Sequence, residues 1–157
     1  MHIEIWSVGK TNESFIEEGM QYYFGKTKPY NSIELVLLQL PKKMQTTDVA
    51  RTKLLEEELI LKRLQSHHYL ILLDERGKSL NSVQWSTQFQ NLMNQGTKTL
   101  VLLIGGAFGV SDAVRTQAKQ TWSLSPLVFP HQMVRLIVSE QVYRTFSILN
   151  NTPYHHV

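Results

Sequence analysis

The residues best suited to chemistry gather near the C-terminal end. His131, Arg135, Ser139 and Tyr143 recur every four residues, so on a helix they form one slowly drifting stripe, and Glu140 and Arg144 make a further i,i+4 pair beside it. Met133, Val134, Ile137, Val138 and Val142 make the rest of that helix strongly apolar. A line of imidazole, guanidinium and phenol within such a helix must face a partner subunit, a ligand or solvent. The plain reading is a solvated edge with a local salt bridge. The functional reading is an anion-binding or RNA-facing edge at a dimer contact.

Gly105-Gly106-Ala107-Phe108-Gly109 is the second feature of interest, because backbone free of side chains lets a ligand approach closely. On the glycines alone, a tight strand-to-helix turn with positive φ weighs about equally with ligand binding. Two Gly-Lys-Thr tripeptides, at residues 9–11 and 25–27, invite comparison with a phosphate-binding loop. That loop needs another glycine five residues earlier, and Glu4 and Met20 stand there instead. Both Lys10 and Lys26 are therefore read as ordinary turn residues. The pairs His67-His68 and His155-His156 lack a third ligand at suitable spacing, so no metal site is expected. Trp122 and Tyr154 are candidates for stacking on bases, although a tryptophan between strand residues is more often core.

These residues need elements to hold them, and the pattern alternates strand and helix. Ile3 to Val8 predicts a first strand, with a helix from about Thr11 to Phe24. Ile33 to Leu40 predicts a second strand, followed by a helix capped by Thr47-Asp48 and running to about Gln65, with Leu54, Leu55, Leu59, Leu61 and Leu64 on its buried side. Tyr69 to Leu73 and Thr99 to Ile104 are continuous apolar runs, as expected of strands covered on both faces. Residues 74–78 then form a loop, Ser82 to Asn94 a helix, and Ser111-Asp112 starts another helix to about Lys119. Thr121 to Phe129 is strand-like but interrupted by Pro126, and the last helix runs from His131 to about Leu149. The expected architecture is one α/β domain over residues 1–157, a parallel sheet with helices on both faces. Ligands in such sheets sit beyond the carboxyl ends of the strands, which singles out the segments after Leu73, after Ile104 and around Ser123 to Phe129.

Composition agrees with a single core. The chain has 157 residues, 42% of them hydrophobic, and a net charge of +3. There is no cysteine, which excludes disulfide frameworks, thiolate zinc sites and cysteine nucleophiles. No apolar run approaches the ~18 residues of a membrane span, and nothing at the start resembles a secretion signal, so a cytoplasmic location and no membrane partner are expected. Residues 1–75 hold eleven acids against nine Lys and Arg; residues 76–157 hold two acids against seven. The basic second half suits a polyanion, although a balance this small is commonly ordinary surface chemistry.

Several linked segments resemble one family. They are Leu102-Leu103-Ile104-Gly105-Gly106, Trp122-Ser123-Leu124-Ser125, Phe129-Pro130-His131-Gln132-Met133-Val134-Arg135, Glu140-Gln141-Val142-Tyr143-Arg144 and Pro153-Tyr154-His155. The chain resembles, over essentially its whole length, the SPOUT class of knotted RNA methyltransferases. Within that class it resembles the small single-domain bacterial enzymes that methylate N3 of a pseudouridine in 23S ribosomal RNA of the large subunit. The resemblance implies a C-terminal trefoil knot, an exception to the rule that chains do not thread loops. It implies S-adenosyl-L-methionine as cofactor, held by Leu73, Gly105, Leu124, Ser125, Pro126, Leu127, Val128 and Phe129. It implies no metal, a homodimer with the substrate site built across it, and the ribosome as partner. His131 is the candidate for assisting removal of the imino proton, and Arg135, Tyr143, Arg144, Tyr154 and His155 are the candidates for facing RNA. Two other readings stay open: a ribosome- or RNA-binding module of the same fold without turnover, and a tRNA ribose 2′-O-methyltransferase.

Overall fold

The computed structural model describes residues 1–155, so His156 and its place in the terminal histidine pair lie outside the described residues. Ten elements alternate along the chain: β1 (His2–Val8), α1 (Ser14–Thr27), β2 (Ile33–Leu38), α2 (Val49–Arg63), β3 (His68–Ser79), α3 (Ser82–Asn94), β4 (Thr99–Ile104), α4 (Asp112–Gln117), β5 (Gln120–Ser123) and α5 (His131–Leu149). The strands form one sheet in the order β2-β1-β4-β3-β5, every neighbouring pair parallel.

Alternation along the central strands sorts the core into two faces. Ile3, Ile5, Ile71, Leu73, Leu100, Leu102 and Ile104 point to the side covered by α1, α3 and α5. Trp6, Val8, Leu70, Leu72, Val101 and Leu103 point to the opposite side, where Ile60 of α2 and Val114 of α4 meet them. Helices on both faces of a parallel sheet, as expected, are the result. After β5 at one edge, the chain returns through α5 to pack against both α1 and α3.

Where boundaries differ from expectation, local pairing accounts for it. β3 runs through the segment expected as a loop, because its pairing with β5 breaks after Leu73 and resumes at Lys78 and Ser79. Gly77 sits inside that irregularity, and a Cβ there would stand 2.6 Å from the Trp122 carbonyl carbon, so only glycine lets the strands close. β5 ends at Ser123, leaving residues 124–130 as loop. α1 begins at Ser14 and continues past Gly25 to Thr27, so Lys26 is helical and not a turn residue. Asp48 caps α2 as expected, accepting from the Ala50 and Arg51 amides. Its apolar side is shallower than expected: Ile60 is its one fully buried residue, and Leu54 is 59% exposed. β2 stops at Leu38 and α4 at Gln117; beyond α4, the Lys119 amide donates to the Leu70 carbonyl and opens β5.

Candidate active site

A cavity of about 420 Å³ opens at the carboxyl ends of β3, β4 and β5, a volume in the range of small-ligand sites. Three chain segments wall it: Leu73 to Arg76, Ile104 to Gly109, and Ser123 to Phe129 without Pro126. His131 and Val134 from the start of α5 close the remaining side. Of the residues expected around the cofactor, Leu73, Gly105, Leu124, Ser125, Leu127, Val128 and Phe129 line it, and Pro126 does not.

The third wall is braced by its own polar atoms. The Ser123 hydroxyl donates to the Ser125 carbonyl at 3.1 Å, and the Ser125 hydroxyl accepts from the Leu127 amide at 2.9 Å. That leaves Leu127 and Val128 standing out, 67% and 81% exposed, with Phe108 half-exposed on the glycine-rich wall. The glycines have separate reasons. Gly109 has φ +74° and makes the turn. Gly105 does not, but a Cβ on it would stand 3.0 Å from Val110 Cγ1 and 3.4 Å from the Gly109 carbonyl carbon. Its lack of a side chain therefore serves the loop's own closure as well as access to the cavity.

Charges at the mouth are arranged around Asp74. It accepts from Arg76 Nε at 3.1 Å and from Arg115 Nη2 at 2.8 Å. Burial pushes its carboxyl up, but these two guanidiniums outweigh burial and hold it well below the usual carboxylate range. Across the loop, the carboxylate of Glu56 on α2 lies against Gly106, where a Cβ would stand 2.6 Å from its oxygen, and burial raises this carboxyl despite Lys53. Asp74, Arg115 and Glu56 were not legible as site residues. The one signal was the placement of residues 74–78 at a strand's carboxyl end.

His131 sits in the first turn of α5, half-buried on the cavity wall. Burial, and then the positive charge of Arg135, lower its pKa below the ordinary imidazole value. Both effects favour the neutral ring, the form that can take a proton.

Arg135 corrects the expected stripe. It is fully buried, donating from Nε to the Ser7 hydroxyl at 2.7 Å, from Nη1 to the Thr11 hydroxyl at 2.7 Å, and from Nη2 to the Val8 and Gly9 carbonyls at 3.0 and 3.3 Å. Ser139 is buried beside it. Four acceptors at and just beyond the end of β1 engage four of its five N–H donors, and the group is buried away from the surface expected to face RNA. The signal in hindsight is Ser7, which continues the Ile3, Ile5 alternation toward α5.

The remaining RNA candidates form a second cluster at the far end of α5. Arg144 pairs with Glu140, lies 4.7 Å from the Tyr154 ring centroid, and donates to Nδ1 of His155 at 3.3 Å. The Tyr154 hydroxyl donates to Glu140 Oε1 at 3.0 Å, and its ring packs on Tyr143 at 4.6 Å. Tyr143 is buried and supports this group, with little surface of its own to offer. Trp122 is core, 1% exposed, with its indole N–H donating to Gln120 at 2.8 Å.

Comparison with known proteins bears on this arrangement. The family described as "Predicted SPOUT methyltransferase" matches residues 1–155. The chain belongs to that family. SPOUT relatives named "Ribosomal RNA large subunit methyltransferase H" come from Parabacteroides distasonis, 42% identical, Christiangramia forsetii, 40%, and Geotalea daltonii, 40%. Each alignment covers 99% of this chain and at least 99% of the relative. The strand-end cavity has a size and lining that fit S-adenosylmethionine: apolar Leu73, Leu124, Leu127 and Phe129 would hold a flat heterocycle, and Gly105 lines the wall without a side chain.

Proposed function

We propose that this chain transfers a methyl group from S-adenosylmethionine to N3 of a pseudouridine in 23S ribosomal RNA, working on assembled large subunits in the cytoplasm as a homodimer. The observation that carries the reading is the strand-end cavity with His131 on its wall. The names of the relatives, ribosomal RNA large subunit methyltransferases, support it.

The bound cofactor supplies an electrophilic methyl on a sulfonium. The chain's own part is alignment and proton removal. The walls after β3, β4 and β5 would orient the donor, and His131 would take the imino proton from N3, whose electron pair forms the N–CH3 bond as the C–S bond breaks and leaves S-adenosylhomocysteine.

A homodimer is supported by distance rather than by the apolarity of α5, which α1, α3 and the sheet largely cover. Thirteen residues separate His131 from Arg144 along one helix, about 20 Å at 1.5 Å per residue. One base cannot touch both ends of the same helix. A second copy that lays its Arg144, Tyr154 and His155 over the cavity of the first brings them together, and such an arrangement accommodates the knot and the shared site the family resemblance implies.

The test is labelled methyl transfer to ribosomes from cells lacking the gene, followed by mapping of the modified nucleotide. Label at N3 of a large-subunit pseudouridine supports the reading. Cofactor binding by calorimetry without transfer to any RNA would favour a binding module, and label on tRNA ribose would favour the 2′-O-methyltransferase.

A further inference from the structure

Lys26 belongs to a tripeptide that is no phosphate loop, and the fold gives it another setting. In the last turn of α1 its ammonium lies 5.0 Å from the Tyr22 ring centroid and 5.5 Å from that of Tyr143 on α5. Among the described residues it makes no ion pair. Arg144, by contrast, is already engaged by Glu140.

Around it runs a continuous row of rings. Tyr22, 58% exposed, meets Tyr23 edge-on at 5.2 Å; Tyr23 meets Tyr143 at 6.2 Å; Tyr143 meets Tyr154 at 4.6 Å, where Arg144 lies over the last ring. The row therefore crosses from the C-terminal tail over α5 onto α1. It is held in register by close packing of the two helices: a Cβ on Gly19 of α1 would stand 2.7 Å from Leu136 of α5.

We propose that Tyr22 and Lys26 form an outer part of the RNA-binding surface, Lys26 holding a backbone phosphate and Tyr22 stacking on a base flanking the target. This rests on the reading that the chain acts on ribosomal RNA. Exposed aromatic faces interleaved with cations are the chemistry of single-stranded nucleic acid binding. The charge around the row fits a polyanion: residues 76–157, which bring Tyr143, Arg144 and Tyr154 to it, carry seven Lys and Arg against two acids.

The experiment compares the full-length chain with Lys26→Ala, Lys26→Arg and Tyr22→Ala, using ribosomes as substrate over a range of salt. Expected are a KM for ribosomes raised about tenfold by either alanine, with kcat and calorimetric affinity for S-adenosylhomocysteine unchanged. Lys26→Ala should also reduce the slope of log KM against log salt by about one, and Lys26→Arg should restore both. Unchanged KM and slope would overturn the inference alone. So would loss of dimer in Lys26→Ala by sedimentation, with KM recovering at high protein concentration. A wild-type chain inactive on ribosomes would overturn the functional reading and this inference with it.

Discussion

Arg144 and Tyr154 converge on one carboxylate: the guanidinium lies 4.7 Å from the phenol ring centroid while both groups donate to Oε1 of Glu140. The C-terminal tail is therefore seated, with the Thr152 amide donating to the Ser147 carbonyl at 2.9 Å before it.

A chain ending at Thr152 tests what that seating is for. It keeps every element of the sheet and the cavity walls, and Glu140 keeps Arg144 as partner. Calorimetry should show normal binding of S-adenosylhomocysteine, and methyl transfer to ribosomes should fall by about a hundredfold, the scale of a lost positioning contact. Transfer at the wild-type rate would make the tail a packing element only.

Mixing two inactive variants tests the shared site. His131→Ala and Arg144→Ala dimers should each be nearly inactive. After subunit exchange, half of the dimers are mixed, each with one intact site, so about a quarter of wild-type activity should return. No recovery after demonstrated exchange would place both residues in the same protomer's site or outside it.

The pH profile follows from His131. Its folded pKa is lowered, first by burial and then by Arg135, so the neutral base is fully present above the ordinary imidazole value and is lost as pH falls through the folded one. Single-turnover transfer should rise with pH below about 6.5 and then level off. The same shift makes the unfolded state bind more protons in that window, so stability also falls as pH drops below the unfolded value. His131→Gln should flatten the rate profile; a wild-type rate that declines with rising pH over this range would remove His131 as the base.

Gly105 separates two causes of the same loss. Gly105→Ala puts a Cβ 3.0 Å from Val110 Cγ1, and Gly105→Val adds two further methyl groups at this cavity-lining position. The alanine should weaken S-adenosylhomocysteine binding severalfold, on the order of 1 kcal/mol of overpacking, and the valine should abolish it. Adding Val110→Ala should rescue the alanine variant but not the valine. Rescue of both in calorimetric titrations would show that loop closure, not ligand access, excludes a side chain at 105.

Arg135→Met should act on stability. It leaves the Ser7 and Thr11 hydroxyls and two carbonyls without their donor, a cost of about 1 to 3 kcal/mol for buried polar groups left unsatisfied. Denaturant melts should show this loss. Unchanged stability with selective loss of ribosome binding would return Arg135 to the RNA surface.

The legible part of the fold was what periodicity encodes. Leu100 to Ile104 and Tyr69 to Leu73 read as strands covered twice because both their faces are apolar, and the structure buries Leu100 through Ile104 throughout. The cavity was legible for the same reason, since parallel strands place their loops at one end. Arg135 was not, because helix spacing gives a direction around the axis but not what waits there. Hydroxyls and carbonyls at the end of β1, more than 120 residues away, decide it. Residues 74–78 were not legible as strand because what carries β3 through them is pairing with β5 that resumes at Lys78 beyond the break after Leu73, not local turn chemistry. The shallow burial of α2 was hidden too: leucine spacing cannot say how much sheet lies beneath.

The contact between Arg135 and Ser7 spans 128 positions of the chain. During synthesis the first strand is therefore made long before the side chain that satisfies its polar end, and the space between α1 and α3 stays open until α5 has left the ribosome. α5 completes the core, so folding waits on its emergence, and a nascent chain stalled before residue 131 presents Ile3, Ile5, Phe89 and Leu102 without their cover.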